Sequence, residues 1–185
     1  MKGTVTPHAA RGATRATELT LYTRSLLTRR VMLPMAALGK QMHQTIEREV
    51  AHQYEGRCIL EGFVKAGSTR VVTYTSGLVE GDQVQFEVVF ECSVCHPVEG
   101  MLLPCVVKNV TKAGVRAESA TETPSPIVIF VARDHYFHQP LFSQLQEGDT
   151  FTARVIGQRF ELNDKYISIL AEWVPPRSAA AAVAK

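Results

Sequence analysis

Cysteine, tryptophan and long apolar runs are scarce in this sequence. Its 185 residues include 4 cysteines and 1 tryptophan. Four irregularly spaced cysteines are too few for a disulfide scaffold at this length, so we expect reduced thiols in an intracellular protein. No apolar run reaches the roughly 18 residues that a membrane-spanning helix needs, and the first residues lack the apolar core of a secretory signal. Neither a membrane protein nor a secreted protein is therefore expected.

The sequence also lacks an excess of either charge. It carries 20 Lys+Arg against 18 Asp+Glu, a net charge of +2. From Val98 onward the count is nine basic against nine acidic residues. A dedicated nucleic-acid coat would present a global basic field, which this balance excludes. Any binding of nucleic acid must be local or weak.

Catalytic motifs are absent as well. The sequence has no phosphate-binding glycine loop ending in Lys-Ser/Thr, no glycine-flanked serine elbow and no metalloprotease helix motif. His52 lies late in a predicted helix, and three further histidines lie in predicted loops without obvious carboxylate partners: His96, His135 and His138. We therefore predict a protein that is not an enzyme and needs no cofactor.

A zinc site is the one metal hypothesis that the sequence raises. Cys92 and Cys95 are spaced like a zinc-binding pair, with His96 and Cys105 further along the chain. Both cysteines fall in or at the end of a predicted strand, where an odd separation directs side chains to opposite faces. Because zinc pairs normally lie on a turn, no metal is predicted. A zinc-stabilised interaction module would instead hold stoichiometric metal and lose its fold in chelator.

The first half has the pattern of an α+β unit. Residues 1–17 contain Lys2, Arg11 and Arg15 but no acid, which is typical of a flexible arm or, alternatively, of an organelle transit peptide. Residues 18–97 begin with alternation that predicts a strand, followed by an amphipathic helix and an antiparallel meander. The predicted elements are a strand at Glu18–Ser25, a helix at Pro34–Tyr54, and strands at Arg57–Lys65, Thr69–Thr75 and Gln83–Val94.

The second half has the pattern of a small all-β domain. Pro97 and Gly100 interrupt the chain and place a domain boundary there, so that 98–174 form the second domain and 175–185 a disordered tail. Five short strands with an irregular connection between the third and fourth predict a five-stranded OB barrel. These strands are Met101–Val110, Val115–Ser119, Ile127–Val131, Phe151–Arg159 and Tyr166–Trp173.

Glycine patterns in both halves carry a family resemblance. In the second half, Gly114 and the turn Glu147-Gly148-Asp149 resemble the RNA-binding OB module first described in a small-subunit ribosomal protein. In the first half, the loop Ser76–Asp82, the strand Phe86–Phe90 and Pro97 before a glycine resemble the tip domain of the stalk subunit of archaeal and eukaryotic RNA polymerases. That family comprises the seventh subunit of polymerase II and its archaeal counterpart, and the resemblance covers about Leu19 to Val174.

The resemblance implies a non-catalytic polymerase subunit. Its tip would anchor to the large core subunits, a second stalk subunit would pack along its side, and its barrel would touch nascent RNA weakly. The extra arm, and Val115-Arg116 where such modules often carry aromatic residues, depart from the family pattern. A divergent version encoded by a large DNA virus would explain both departures. The implied location is the nucleus, or the virion and viral replication site. The implied docking residues are Gly77, Leu78, Val79, Glu80, Gly81 and Asp82.

Basic and aromatic residues of the second half are candidates for RNA contact. The basic set is Lys108, Lys112, Arg116, Arg133, His135, Arg154, Arg159 and Lys165. The possible stacking platforms, for each of which packing in the core is the alternative, are Phe130, Tyr136, Phe137 and Phe160. A free-standing OB-fold RNA-binding protein, such as a translation or RNA-decay factor, is the rival hypothesis and predicts salt-dependent RNA affinity of the isolated chain.

Three arginines form a further cluster in the first half. Arg24, Arg29 and Arg30 lie between the predicted first strand and the helix, near enough in sequence to share a surface. They could pair with an acidic groove of the polymerase, or they could belong to a solvated connection.

Overall fold

A computed structural model of the chain describes residues 21–136 and 140–175. The predicted arm (1–17) lies outside these residues, as does the predicted tail apart from Pro175. The first half contains α1 (Met42–Tyr54) and six strands: β1 (Tyr22–Pro34), β2 (Cys58–Ile59), β3 (Gly62–Val64), β4 (Arg70–Tyr74), β5 (Leu78–Glu80) and β6 (Gln83–Cys95). The second half contains α2 (Pro140–Ser143) and five strands: β7 (Leu102–Val110), β8 (Gly114–Ser119), β9 (Ile127–Ala132), β10 (Thr150–Arg159) and β11 (Ile167–Val174).

The first half is an antiparallel sheet with a helix on one face. β6 is its central strand, because β1 pairs along one side of it and β3, β4 and β5 pair in succession along the other. Alternate residues of β1 and β6 face α1, and Val31, Phe90, Ile46 and Val50 are buried in one cluster. The ring of Tyr54 stacks on that of Phe90 with centroids 5.5 Å apart. The α+β prediction for this half is confirmed.

Two predicted boundaries in this half are wrong, and the single strand predicted at Arg57–Lys65 is instead a hairpin of two short strands, β2 and β3. The first strand does not end at Ser25 but continues to Pro34, and the helix does not begin at Pro34 but at Met42, after a short 3-10 turn. The strand extends because Leu27, Val31 and Leu33 alternate into the core along the full length of β6. Pro34 is tolerated where it closes the strand, since a proline there costs little hydrogen bonding.

The second half is a closed five-stranded barrel, as predicted. The strand order is β10-β11-β9-β8-β7, with β10 pairing back to β7. β11 runs parallel to β9, whereas the other neighbours are antiparallel. Inward residues such as Ile129 and Ile169 fill the barrel. Full closure removes the unpaired edges that an open sheet of this size would expose.

Gly114 is required by the closeness of two barrel strands. A Cβ atom at this position would lie 2.2 Å from the carbonyl oxygen of Val131 on β9. The backbone of β8 can therefore approach β9 here because residue 114 has no side chain. The glycine that contributes to the family resemblance has a packing reason to be there.

The two halves share a core at their junction. Leu21, Cys58 and Cys95 of the first half are buried in the cluster that fills the barrel. The turn between β10 and β11 also reaches β2, where Cys58 N–H donates to the carbonyl of Asp164 at 2.8 Å and Asn163 N–H donates to the carbonyl of Cys58 at 2.9 Å. Buried apolar side chains and backbone hydrogen bonds therefore both join the two halves.

Polar side chains reinforce the same junction. Lys65 Nζ lies 3.1 Å from a carboxylate oxygen of Glu122 and 4.7 Å from the centre of the Tyr22 ring. His96 lies within hydrogen-bonding distance of Gln158, at 3.1 Å. These contacts connect the first sheet to the β8–β9 loop and to β10. No helix within the described residues is long and apolar enough to cross a membrane.

Candidate functional site

The first candidate surface is the hairpin at one end of the first sheet. β5 pairs with the start of β6, and Gly81 and Asp82 connect them. Gly77 enters the hairpin at a φ of 88°, and a Cβ atom there would lie 2.8 Å from side-chain atoms of both Val84 and Phe86. The glycine therefore lets the chain pass directly over the edge of the core. The predicted loop Ser76–Asp82 thus contains a short strand, β5, at its centre.

Two apolar side chains project from this hairpin. Leu78 is 60% exposed and Val79 is 61% exposed. Leu78 faces Gln85, which in turn faces Met32 on β1, so the three share the face of the sheet opposite α1. Asp82 contributes its carbonyl oxygen, which accepts a hydrogen bond from Met35 N–H at 3.0 Å. We define Gly77–Asp82 as the tip. Leu78 projects from the face opposite α1, whereas Val79 lies opposite the buried Val84 and projects from the other face, and both side chains are exposed.

The arginine cluster was predicted to lie in a connection, but the structure places it within β1. Arg24 and Arg30 project from the face of the sheet opposite α1, and Arg24 contacts Glu91 on β6 at 3.1 Å. Arg29 projects from the opposite face, where its guanidinium donates to both carboxylate oxygens of Glu61 at 2.5 and 2.7 Å. The prediction of one shared surface is therefore wrong, because alternate residues of a strand face opposite ways.

The second candidate surface is the outer face of the barrel. Four paired residues form a row across four neighbouring strands. In order they are Arg116 on β8, Phe130 on β9, Leu170 on β11 and Gly157 on β10. Phe130 and Leu170 are both exposed. A cation beside exposed apolar and aromatic groups can track a phosphate and support an unpaired base. We define this row of four residues as the barrel row.

The structure gathers some of the predicted basic residues near the barrel row and separates others. Arg159 ends β10 on the same side and pairs with Glu161 at 3.2 Å, and Lys108 pairs with Glu118 at 3.5 Å. Arg154 lies three residues from Gly157 along β10, opposite Glu172. The remaining candidates lie at the strand ends: Lys112 in the β7–β8 turn, Arg133 just after β9, and Lys165 in the β10–β11 turn. The His135 side chain lies outside the described residues.

One predicted stacking platform is half-buried against other aromatic rings. The ring of Tyr136 lies 4.7 Å from that of Phe142 and 6.0 Å from that of Trp173, and its hydroxyl accepts a hydrogen bond from Trp173 N–H at 2.9 Å. The ring and hydroxyl of Tyr136 are therefore engaged in packing at the edge of the barrel core, which is the alternative to base stacking. Phe160 packs edge-on against His96 at 6.1 Å, at the junction of the two halves. Phe137 lies outside the described residues.

Two exposed residues were not named as candidates from the sequence, Leu170 of the barrel row and Tyr166 just before β11. Tyr166 and Leu170 are both exposed, on the side of β11 that faces outward beside Phe130. The signal was present in the alternation of β11, because Ile167, Ile169 and Ala171 are buried and the residues between them must face outward.

The cysteines are divided between the two cores. Cys92 is buried in the core of the first sheet, whereas Cys95 is buried in the barrel core, so the prediction that they face opposite ways is confirmed. Burial raises the pKa of Cys92 and of Cys58 to about 11, and that of Cys95 and of Cys105 to about 12. Within residues 21–136 and 140–175 no group of three or more His, Cys, Asp or Glu is placed to hold a metal ion.

Known proteins resemble the chain at low identity. No protein-family model matches it. A putative DNA-directed RNA polymerase subunit of Acanthamoeba polyphaga mimivirus is 20% identical over an alignment of 169 residues, and the match covers 82% of this chain and 81% of the viral protein. DNA-directed RNA polymerase II subunit 7 of Arabidopsis thaliana is 31% identical over 111 residues, which are 58% of this chain and 60% of the plant protein. The resemblance to this polymerase subunit is thus confirmed as weak homology.

Solved structures add little to this comparison. An uncharacterized protein from Methanocaldococcus jannaschii is 18% identical, with a TM-score of 0.34, and it covers 43% of this chain and 96% of its own. A likeness at that score contributes nothing to the functional interpretation.

Proposed function

We propose that this protein is a non-catalytic subunit of a multisubunit DNA-directed RNA polymerase. The observation that carries the proposal is the similarity to two polymerase subunits, one viral and one from a plant. The fold is consistent with that role, because an α+β unit precedes a closed five-stranded barrel and the two share a core. Its place of action would be the nucleus or, if a virus encodes it, the virion and the viral replication site.

The tip would anchor the subunit to the large polymerase subunits. Leu78 and Val79 are exposed on opposite faces of a hairpin whose backbone is fixed by pairing with β6 and by the hydrogen bond from Met35 N–H to the carbonyl of Asp82. Exposed apolar side chains on a rigid support lose little conformational freedom when a partner groove covers them. The tip therefore has the properties of a docking element.

The barrel would contact nascent RNA. The barrel row offers Arg116 for a phosphate and Phe130 for a base, and the ion pairs of Lys108 and Arg159 lie beside it. Because both of these flanking cations already have carboxylate partners, the added electrostatic attraction is small and the contact should be weak. A second stalk subunit would pack along the side of the two joined halves.

Affinity purification of the tagged full-length chain at moderate salt tests this function. Stoichiometric recovery of the two largest polymerase subunits, identified by mass, is the expected result. Replacing Gly77–Asp82 by a neutral linker should abolish that recovery. Recovery of RNA or ribosomal proteins without polymerase would overturn the proposal and favour the free-standing RNA-binding protein.

A further inference from the structure

One long strand in the first sheet has an unpaired side. β1 is 13 residues long and, within the described part of the chain, pairs with β6 alone. Its register with β6 is continuous from Tyr22 to Pro34 without a bulge. An unprotected edge of this length is a template for the addition of another strand.

The hydrogen bonds identify which residues of β1 face that free edge. Met35 N–H donates to the carbonyl of Asp82, which continues the register of Leu33 with Val84. In an antiparallel ladder alternate residues direct both backbone groups to the same neighbour. The odd-numbered residues of β1 are therefore bonded to β6. The even-numbered residues direct their N–H and C=O groups to the free edge: Arg24, Leu26, Thr28, Arg30 and Met32.

Two independent observations agree with this assignment. On β6, odd-numbered residues bond to the other side, since the Glu87 carbonyl accepts from Thr75 N–H at 3.0 Å and the Ser93 carbonyl accepts from Lys65 N–H at 2.9 Å. On β1, the carbonyl of Thr28 accepts a hydrogen bond from the guanidinium of Arg29 at 3.0 Å. That carbonyl is reached by a flexible side chain rather than by a strand.

The side chains at this edge indicate what would pair with it. The even-numbered residues project from the face opposite α1, where Leu26 is 65% exposed and Met32 is also exposed. Arg30 lies between them and has no ion pair among the described residues, and the pair of Arg24 with Glu91 is exposed to solvent. An added strand would place a residue opposite each of these. Acidic partners suit the arginines, and apolar partners suit Leu26 and Met32.

Self-pairing of two copies is disfavoured by charge. β1 carries three arginines and no acidic residue. Two copies paired antiparallel about Thr28 would bring four guanidinium groups, those of Arg24 and Arg30 of each copy, onto one face without a carboxylate on either β1 strand. Charges on an edge strand are a common device against such association.

We propose that the free edge of β1 is a strand-addition site for an extended acidic segment of another protein. Every second residue of the segment lies opposite an even-numbered residue of β1. It is apolar opposite Met32 and Leu26, acidic opposite Arg30 and Arg24, and β-branched opposite Thr28. The site lies apart from the barrel row and uses the backbone edge of β1 rather than the side chains of the tip, so it goes beyond the polymerase role and does not depend on it.

Backbone amide hydrogen exchange on the full-length chain tests this proposal with a designed peptide. The probe is Val-Thr-Glu-Thr-Thr-Thr-Val-Thr-Glu, used with its reversed sequence to cover parallel addition, at millimolar concentration. Binding should slow exchange at the even-numbered amides of β1 by about tenfold or more, while the odd-numbered amides are already protected by β6. The same peptides with lysine in place of glutamate should protect none of them.

Two variants and a control separate the edge from other effects. Thr28→Pro removes one free N–H without removing a bond to β6, so it should abolish the protection while the fold, followed by circular dichroism, is retained. Arg30→Glu should reverse the preference toward the lysine peptides. Lys40→Glu, an equal charge change outside β1, should leave binding unchanged.

Three results would overturn the proposal. The first is an absence of even-numbered protection in the unmodified chain with either peptide. The second is protection of the same amides without peptide and independent of protein concentration, which would assign the edge to residues 1–20. The third is protection that rises with protein concentration alone, which would assign it to a second copy.

Discussion

The two halves of this protein solve the same problem of sheet edges in opposite ways. The barrel pairs every strand on both sides, so its backbone is fully used and its outer face offers side chains alone. The first sheet stays open: among the described residues β1 pairs along one side alone, and an exposed apolar hairpin lies at one end. The open half is therefore suited to hold protein partners, and the closed half is suited to present a stable but weakly charged surface.

The strongest test of this contrast asks whether the halves unfold separately. Phe90 is fully buried in the first core, and Phe90→Ala should lower the free energy of unfolding by about 3–5 kcal/mol. Trp173 reports the barrel by fluorescence, and α1 reports the first half by circular dichroism. Because Cys58 and Cys95 pack in the barrel core, both signals should shift together in urea.

A matched control uses an exposed residue of the same half. Leu60→Ala, at a side chain that is 76% exposed, should change the free energy of unfolding by less than about 0.5 kcal/mol. A shift of the helix signal in Phe90→Ala while the Trp173 signal stays in place would show two independent units and contradict the shared core.

Adding a methyl group where two barrel strands approach closely should have a smaller effect on the free energy of unfolding. Gly114→Ala places a methyl group against the carbonyl of Val131, so we expect a loss of about 1–3 kcal/mol in the free energy of unfolding. Gly157→Ala meets no atom within 4 Å and should be neutral or stabilising by up to about 1 kcal/mol. Equal effects of the two substitutions in thermal or urea unfolding would show that strand approach at Gly114 is not limiting.

RNA binding by charge-reversal variants tests the outer face of the barrel. Arg116→Glu should weaken binding of a single-stranded oligonucleotide and reduce the slope of log affinity against log salt by about 1. Arg154→Glu, with the same charge change three residues from Gly157, should have the smaller effect. A larger effect of Arg154→Glu, measured by fluorescence anisotropy across a salt series, would move the RNA surface away from the barrel row.

A pH-dependent effect is expected in alkaline solution. Burial raises the pKa of Cys58 to about 11 and that of Cys95 to about 12. Near pH 9 the unfolded thiols begin to lose protons while the folded ones keep them, so this contribution to stability is complete below pH 9 and is lost as pH rises toward 11 and 12. The free energy of unfolding should therefore decline between pH 9 and pH 12. The decline should be smaller in Cys95→Ala, once the stability that this variant loses at pH 7 has been subtracted.

Thiol labelling offers a check that does not depend on alkaline pH. All four cysteines are buried, so a thiol reagent at pH 8 should label them at the rate of unfolding. Rapid labelling of one thiol in the folded protein would show local opening around it.

The barrel was the half that its sequence predicted best. Both ends of each of the five strands were predicted to within one residue. The reason is that inward positions such as Ile127 and Ile129 alternate regularly and turns separate the strands. The first half was predicted less well. Arg29, Arg30 and Pro34 have the composition of a connection, and this hid the alternation of Leu27, Val31 and Leu33 that extends β1.

The candidate surfaces were predictable in part. The exposure of Leu78 and Val79 followed from their glycine-bracketed loop, but their projection from opposite faces did not, and Arg116 and Phe130 were both named from the sequence. Their pairing across two strands was not predicted, because register depends on the closed barrel. The junction at Cys58 was also beyond prediction, since its hydrogen bonds come from a turn about a hundred residues further along the chain.

Docking of the open half through its tip is tested most directly by comparing Leu78→Ser with Leu162→Ser. Both leucines are exposed, and the second, at 61%, lies in the β10–β11 turn of the barrel. Both tagged chains should be equally stable. We predict that the large polymerase subunits co-purify with Leu162→Ser and are lost or strongly reduced with Leu78→Ser. Equal recovery with both variants would contradict docking through the tip.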